Sequence, residues 1–234
     1  MSWLAHTWID YETIARQQIR DCYDWHQQAW DLFPGRPEGY PCPFLFRVIE
    51  KNEGCDLWLM CKEEPTRPKW ADGEAWKISP VKVGFPHHRR YRFDLLANPS
   101  RRDEKRDRWG GRERERGKHR RFNLTSAEEQ RAWIERKAGQ HGFRLLEDLD
   151  DGLVLDIDPR RDFYFNRGKS RGLHIGVCYR GRLEVTNPGE FAKAFRQGIG
   201  PAKSFGFGLL LLPGFRKGGH TQSKFLCSHR GLAR

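Results

Sequence analysis

Two residues near the start of a predicted helix, Tyr23 and His26, have side chains that can take part in proton transfer. They are three positions apart, so they share one helix face, close to backbone N–H groups that can receive a phosphate. RNA is cleaved without a metal when its 2′-hydroxyl attacks the adjacent phosphorus, which requires a base, an acid and stabilisation of the phosphorane-like state. Histidine titrates at about pH 6.5 and can fill either proton role, whereas tyrosine is better suited to donate or position a hydrogen bond.

The same helix also has an ordinary structural interpretation. His26 falls at near-helical spacing with Cys22, Ala29 and Phe33, which is the pattern of a buried stripe ended by the following Pro-Gly. Asp21 and Asp24 put negative charge at the helix start, where a phosphate would dock, although Asp21 is also placed to be the N-cap. Taken alone, the pair leaves both interpretations open.

A glycine-rich loop between residues 198 and 208 is a second candidate for phosphate contact. Its glycines, including Gly198 and Gly200, let the backbone approach a ligand closely, and Lys203 adds a positive charge. It is not a Walker loop, because no glycine stands directly before the Lys-Ser pair, and because the loop follows a helix and leads into a strand. A tight structural turn explains the same residues equally well.

A basic turn between two apolar strands is the third candidate. A hairpin tip of this kind can enter an RNA groove or hold a cation beside a scissile phosphate. Its basic residues are Arg167, Lys169 and Arg171.

The charge of the chain favours a polyanionic partner. The net charge is +12, and residues 101–121 contain eleven Arg or Lys against five Asp or Glu. We expect this segment to be a mobile basic loop, either as a solvated surface or as an RNA contact. The RNA-contact hypothesis includes the arginine pairs at its two ends, Arg101, Arg102, Arg120 and Arg121.

Other classes of protein are not supported. Apolar runs such as Leu209 to Leu212 are far shorter than the roughly 20 residues of a membrane-spanning helix. The N-terminus lacks the pattern of a secretion signal, so we expect a cytoplasmic protein with reduced cysteines. The six cysteines form no CxxC pair, and we expect neither a metal site nor a cofactor.

The order of elements predicts an α+β fold with antiparallel sheets. The pattern is strand, helix capped by Asp21, two strands, a weak helix between residues 62 and 85, and a strand, followed by approximately the same series again. In the second series, Ser126 and Asn187 are predicted N-caps, and a turn at Arg180-Gly181 is expected to divide the strands around it. Two ferredoxin-like halves fit this order, as domains 1–92 and 93–213 with a basic disordered tail at 214–234.

Taken together and in this order, these segments resemble the CasE family of CRISPR repeat endoribonucleases from type I-E systems. The resemblance covers about residues 1–213, while the 101–121 insertion and the tail depart from it. It rests on the opening Trp3-Leu4, Tyr23-Asp24-Trp25-His26, RFDLLANP at 92–99, AWIER at 132–136 with GFRLL at 142–146, GRLEV at 181–185, and a GIGxxKxFGxGLL ending at 198–210.

The resemblance implies a fold, a reaction and partners. The fold is a tandem of ferredoxin-like (RRM-like) domains, and the reaction is cleavage at the 3′ base of the repeat hairpin, leaving a 5′-hydroxyl and a cyclic phosphate. It gives His26 the acid/base role, Tyr23 the position beside the nucleophilic hydroxyl, and Lys169, or the nearby Arg167, the stabilisation of the phosphate. The implied partners are the repeat stem-loop RNA and other Cascade subunits, the backbone subunits next to the 3′ handle.

Two alternatives come from other functional classes. A non-catalytic subunit could keep the fold and the basic surface and only bind the RNA hairpin. A basic scaffold that docks acidic subunits would bind free RNA weakly and with little dependence on salt, whereas phosphate neutralisation predicts a steep dependence.

Overall fold

The computed structural model of the chain describes residues 1–102, 121–146, 155–168 and 170–213. The described ranges contain two larger antiparallel sheets with α-helices packed against them, and a separate two-stranded ladder. The predicted α+β class with antiparallel sheets is confirmed.

The first sheet is formed by the N-terminal half of the chain. The elements are β1 (Trp3–Asp10), α1 (Tyr11–Arg16), α2 (Cys22–Trp30), β2 (Phe44–Glu50), β3 (Gly54–Cys61) and β4 (Lys77–Pro80). The strands lie in the order β2-β3-β1-β4, and all neighbours are antiparallel. Since β3 lies between β1 and β2, the chain passes from β1 to the parallel β2 through helices that cover one face.

The second sheet repeats this arrangement. The elements are β5 (Arg90–Ala97), β6 (Ser100–Arg102), β7 (Arg121–Asn123), α3 (Ala127–Gln140), β8 (Phe143–Leu146), β9 (Asp156–Ile157), β10 (Arg161–Arg167), β11 (Ser170–Val185), α4 (Pro188–Gln197) and β12 (Leu210–Leu211). Strand β11 pairs with β8 and β5, and β12 pairs with the other side of β5, so the order β8-β11-β5-β12 matches that of the first sheet. This repeated order is the tandem ferredoxin-like fold.

The second half departs from a simple repeat in one long hairpin. The first part of β11 extends beyond the sheet and pairs with β10 from Arg161↔Gly176 to Arg167↔Ser170. Gly168, which follows the last of these pairs, has φ +59°, a conformation that tight hairpin loops favour. This hairpin carries the predicted basic turn towards the first half of the molecule.

Apolar and ionic contacts join the two halves. Leu45 and Met60 of the first sheet pack with Phe195 and Leu209 of the second half in a buried cluster. Beside it, the buried Arg47 guanidinium donates to Asp94 Oδ1 over 3.2 Å. These contacts hold the two halves of the molecule together. The predicted boundary at residue 92 stays a prediction; that residue lies within β5, which pairs entirely in the second sheet.

Local capping signals predicted the helix starts correctly. Asp21 caps α2 through its side chain, Ser126 forms a capping box with Glu129, and Asn187 caps α4, which begins at Pro188. The helix α1, capped by Asp10, was not predicted. Helix α2 ends at Trp30, whereas the apolar spacing had suggested a continuation to Phe33.

Two other local predictions are wrong. In place of the weak helix between residues 62 and 85 there is the short strand β4 and irregular chain, because the prolines at 65, 68 and 80 interrupt helical hydrogen bonding. There is also no turn at Arg180-Gly181: β11 continues, with these residues paired to Asp94 and Phe93 of β5. The predicted tail at 214–234 lies outside the described residues.

Candidate active site

Helix α2 holds Tyr23 and His26 on one face. The ring centroids lie 6.5 Å apart, with 34° between the ring planes. The helix begins here because Asp21 Oδ1 accepts from the backbone N–H groups of Tyr23 (2.8 Å) and Asp24 (3.1 Å). Asp24 in turn accepts from the N–H of Arg20 over 2.9 Å. Both aspartates that appeared unfavourable for phosphate docking are therefore engaged by backbone donors.

Aromatic rings surround His26. Its centroid lies 5.5 Å from that of Phe44 and 6.3 Å from that of Phe46, both on β2. The apolar stripe suggested by the sequence is thus real, but His26 is only partly buried. Burial lowers the pKa of His26, and the positive charge of Arg167 lowers it further. The imidazole is consequently biased towards its neutral form.

The β10–β11 hairpin tip docks against the start of α2. The backbone N–H of Asn166 donates to Asp21 Oδ2 over 2.9 Å, so the carboxylate that caps the helix also binds the hairpin. The next residue, Arg167, is exposed and close enough to affect the titration of His26. Arg171 lies over the ring of Tyr164, with Cζ 5.2 Å from the centroid. Lys169 lies outside the described residues.

The glycine-rich loop reaches the same place from another direction. The 3₁₀ turn Lys203–Phe205 contacts both α2 and β2, and the Phe205 ring centroid is 6.5 Å from that of Tyr23. The Lys203 ammonium donates to the carbonyl of Gln197 over 2.6 Å. Burial, followed by the charges of Lys137 and Lys62, lowers the pKa of Lys203. These three lysines therefore form a cluster of like charge, which we call the lysine cluster.

Gly198 and Gly200 shape this loop. Their φ angles are +76° and +87°, a region that side chains rarely adopt. A Cβ at Gly198 would lie 2.9 Å from the Gly208 carbonyl oxygen, and one at Gly200 would lie 3.0 Å from the Trp133 ring. Gly198 is buried. This geometry supports the turn interpretation of these two glycines, and their contact with RNA stays a prediction.

The ends of the basic insertion are joined in the β6–β7 ladder. Arg102 pairs with Arg121 and Arg101 with Phe122. The side chains of Arg101 and Arg121 are exposed. Arg120 and the interior of the insertion lie outside the described residues, so the expectation of a mobile RNA-binding loop stays a prediction.

Sequence reasoning missed two aromatic residues of the candidate site, one that contacts His26 and one that packs on Phe205. Trp30 Nε1–H donates to His26 Nε2 over 3.2 Å; its spacing of four from His26 on the predicted helix was the available signal. His174 on β11 packs against Phe205, with centroids 4.5 Å apart. Its position depends on the long pairing of β11 with β10, and no sequence signal linked it to Tyr23.

Two further findings concern the described residues as a whole. Among them, no set of three or more His, Cys, Asp or Glu side chains is grouped as a metal site would require. In the same part of the chain, none of the helices has the length and apolar character needed to cross a membrane.

Comparison with known proteins identifies the family. A family model described as CRISPR-associated protein matches residues 2–213. The chain is also 34% identical over 207 residues to the CRISPR system Cascade subunit CasE of Escherichia coli, covering 85% of this chain and 95% of that protein. The chain belongs to the CasE family.

Other CasE-family relatives agree in sequence and structure. The CRISPR-associated endoribonuclease Cse3 of Thermus thermophilus is 27% identical over 212 residues, covering 84% of this chain and 92% of that protein. A solved structure of Thermus thermophilus Cse3, bound to an RNA representing a pre-cleavage complex, superposes with a TM-score of 0.67 at 25% identity. It covers 90% of this chain and 98% of the other. This chain therefore has nearly all of the fold of that relative.

Proposed function

We propose that the chain is a metal-independent endoribonuclease that cleaves CRISPR precursor RNA at the 3′ base of the repeat hairpin and keeps the product bound. The observation that carries the proposal is the meeting of three segments distant in sequence. The Tyr23–His26 face of α2, the Arg167 hairpin tip and the 203–205 turn converge at the start of α2. The named endoribonuclease Cse3 shares the fold.

These groups match the requirements of internal phosphate transfer. The 2′-oxygen attacks the adjacent phosphorus, its proton leaves to a base, the bond from phosphorus to the 5′-oxygen breaks, and an acid supplies a proton to that oxygen. The products are a 2′,3′-cyclic phosphate and a 5′-hydroxyl. We assign His26 to the acid/base work and Tyr23 to positioning the nucleophilic hydroxyl. Arg167, with Lys169 beside it in sequence, stabilises the charge on the phosphate.

The basic surface extends beyond these residues. In the lysine cluster of Lys62, Lys137 and Lys203, burial lowers the pKa of Lys203, and the charges of Lys137 and Lys62 lower it further. An RNA backbone relieves this repulsion and releases counterions. We propose that this cluster, the arginines of the β6–β7 ladder and Arg171 bind the RNA stem, along with the backbone around Gly198 and Gly200.

The relatives suggest the setting in which the reaction takes place. The Escherichia coli protein is a Cascade subunit, and this chain covers almost the whole of its length. We propose that this chain likewise remains with the processed RNA as a subunit of a Cascade complex in the cytoplasm, next to the backbone subunits at the 3′ handle.

The test is cleavage of repeat RNA from the locus that encodes the chain, in excess EDTA, by wild type and His26→Ala. We expect cleavage at the 3′ base of the hairpin by wild type and binding without cleavage by the variant. Tight binding without cleavage by either protein would instead support the second candidate, a non-catalytic hairpin-binding subunit. The burial of His26 Nδ1 favours that candidate, since RNA reaches the nitrogen only if a neighbouring group moves.

A further inference from the structure

The indole of Trp30 holds the imidazole of His26. The hydrogen bond from Trp30 Nε1–H to His26 Nε2 is 3.2 Å long, and the rings meet edge to face with centroids 6.2 Å apart. The residues are four positions apart on α2, so the contact follows from helical geometry. Trp30 is itself packed edge-on against Phe44 at 5.4 Å. The donor is therefore held in place by the same ring that packs on His26.

This contact determines which imidazole nitrogen carries the proton. An indole N–H can only donate, so the nitrogen that accepts from it must present a lone pair. Nε2 is thus unprotonated, and neutral His26 carries its proton on Nδ1. Nδ1 is buried and has no hydrogen-bond partner within the described part of the chain. A buried N–H without an acceptor is unfavourable, so a ligand that displaces the neighbouring group over Nδ1 and supplies an acceptor relieves this cost.

Resting on the proposed function, we propose that Trp30 is a positioning residue that holds His26 with its proton on Nδ1, so that His26 meets the RNA as a hydrogen-bond donor. The acceptor is an oxygen at the scissile phosphate that gains negative charge. Trp30 does not contact the RNA in this proposal; it acts only through the imidazole.

The surroundings of His26 favour the same neutral form. Burial lowers the pKa of His26, and so does Arg167, the charged group that faces it from the hairpin. Strand β2 contributes only the uncharged rings of Phe44 and Phe46, and α2 itself contributes the phenol of Tyr23. Protonating Nε2 would set two donors against each other, so the Trp30 hydrogen bond opposes the charged form as well.

The first test measures the tautomer directly, without RNA. Nitrogen chemical shifts of ¹⁵N-labelled protein report which imidazole nitrogen is protonated, and the His26 signals are assigned by their loss in His26→Gln. We expect a protonated Nδ1 and an unprotonated Nε2. Finding the proton on Nε2 in the wild-type protein overturns the proposal. Because no RNA is present, this result is independent of whether the wild type cleaves RNA.

The second test removes the indole donor. Trp30→Phe keeps an aromatic ring but no N–H, and Trp70→Phe is the matched control, since Trp70 Nε1–H donates to Asp31 over 3.1 Å rather than to His26. For Trp30→Phe we expect the Nε2–H tautomer to increase and the protonation constant of His26 to rise about 2–10-fold. We also expect single-turnover cleavage to fall about 10-fold at saturating protein, with unchanged RNA affinity. Trp70→Phe should change none of these.

The outcomes separate positioning from packing. A Trp30→Phe protein with the wild-type tautomer and protonation constant overturns the proposal whatever its cleavage rate, because a loss of rate alone would then be a packing effect. If Trp30→Phe does not fold, 3-benzothienylalanine at position 30 replaces the N–H by sulfur in a ring of the same shape, and the same readouts apply. Wild-type protein that binds repeat RNA without cleaving it contradicts the proposed function and is distinguishable from either result.

Discussion

The two ferredoxin-like halves of the molecule contribute side chains of different character to the candidate site. The first half supplies Tyr23 and His26, which are partly buried on a helix among aromatic rings. The second half supplies exposed cations, above all Arg167 at the end of a long hairpin. In the proposed reaction, His26 transfers a proton with a pKa that burial lowers, whereas the phosphate is stabilised by a charge that can reach it.

A single carboxylate connects the two halves at this point. Asp21 Oδ1 caps the helix that carries Tyr23 and His26, and Asp21 Oδ2 binds the hairpin backbone at Asn166. Asp21 therefore contacts both the helix that carries the proposed proton-transfer residues and the hairpin that carries Arg167. Changes to each half, and to this connection, should have separable effects.

The largest expected effect comes from the first half. His26→Ala should lower single-turnover cleavage by at least about 100-fold, because it removes an acid/base group. RNA affinity should be nearly unchanged, since His26 contributes no charge in its neutral form. Filter binding and cleavage assays at saturating protein measure the two quantities, with thermal unfolding as the folding control. A variant that loses affinity and cleavage in parallel would assign His26 to RNA binding.

Arg167→Ala tests the contribution of the second half. We expect cleavage to fall about 10–100-fold, through loss of charge stabilisation at the phosphate. Because Arg167 lowers the pKa of His26, its removal should also raise that pKa, so that His26 becomes protonated at a higher pH. A pH–rate profile measures this, and a step that requires neutral His26 should lose activity at a higher pH than in wild type.

The matched control for this prediction is Arg171→Ala. Arg171 is on the same hairpin but lies over Tyr164, and its charge is not among the causes that lower the pKa of His26. Its loss should leave the pH–rate profile in place. If both variants shift the profile equally, the effect belongs to the whole hairpin and not to Arg167.

Asp21→Asn tests the connection between the halves. The amide oxygen can still cap α2, because asparagine is a good N-cap, but the amide nitrogen would face the N–H of Asn166 and repel it. We expect unchanged thermal stability of the helix, faster hydrogen exchange at the Asn166 amide, and about 10-fold slower cleavage through misplacement of the hairpin. Wild-type exchange at Asn166 together with slow cleavage would contradict this explanation. Asp21→Ala, which loses both functions, should be less stable as well.

The smallest effect is expected in the lysine cluster. Lys137→Ala should weaken RNA binding by a few-fold near 0.15 M salt and reduce the slope of log affinity against log salt by about 0.7–0.9, the change expected for one phosphate contact. The cleavage rate at saturating RNA should not change. A variant with the wild-type salt slope would remove the lysine cluster from the RNA interface.

The sequence was informative where local signals decide structure. The caps at Asp21, Ser126 and Asn187 predicted three helix starts, because each cap bonds to backbone groups only two or three residues away. The repeated order of strands and helices predicted two similar halves. The strand through Arg180-Gly181 and the short strand β4 were missed, because both depend on pairing with strands distant in sequence.

The candidate site shows the same limit. The residue types and spacing of Tyr23 and His26 were legible on one helix, and the basic turn and glycine loop were each legible alone. These three segments meet through contacts between residues far apart in the chain, such as the hydrogen bond from the Asn166 N–H to Asp21 and the packing of Phe205 on Tyr23. The family resemblance, and not the local pattern, linked them before the structure was known.

The central claim is that this site cleaves RNA by attack of an internal 2′-hydroxyl with the help of His26. The most direct measurement compares two repeat RNAs in excess EDTA. One is natural, and the other has a single 2′-deoxynucleotide on the 5′ side of the scissile phosphate at the 3′ base of the hairpin. The account predicts that wild-type protein cleaves only the natural RNA, leaves a 2′,3′-cyclic phosphate, and binds both RNAs equally. Cleavage of the deoxy-substituted RNA at the same bond would contradict it.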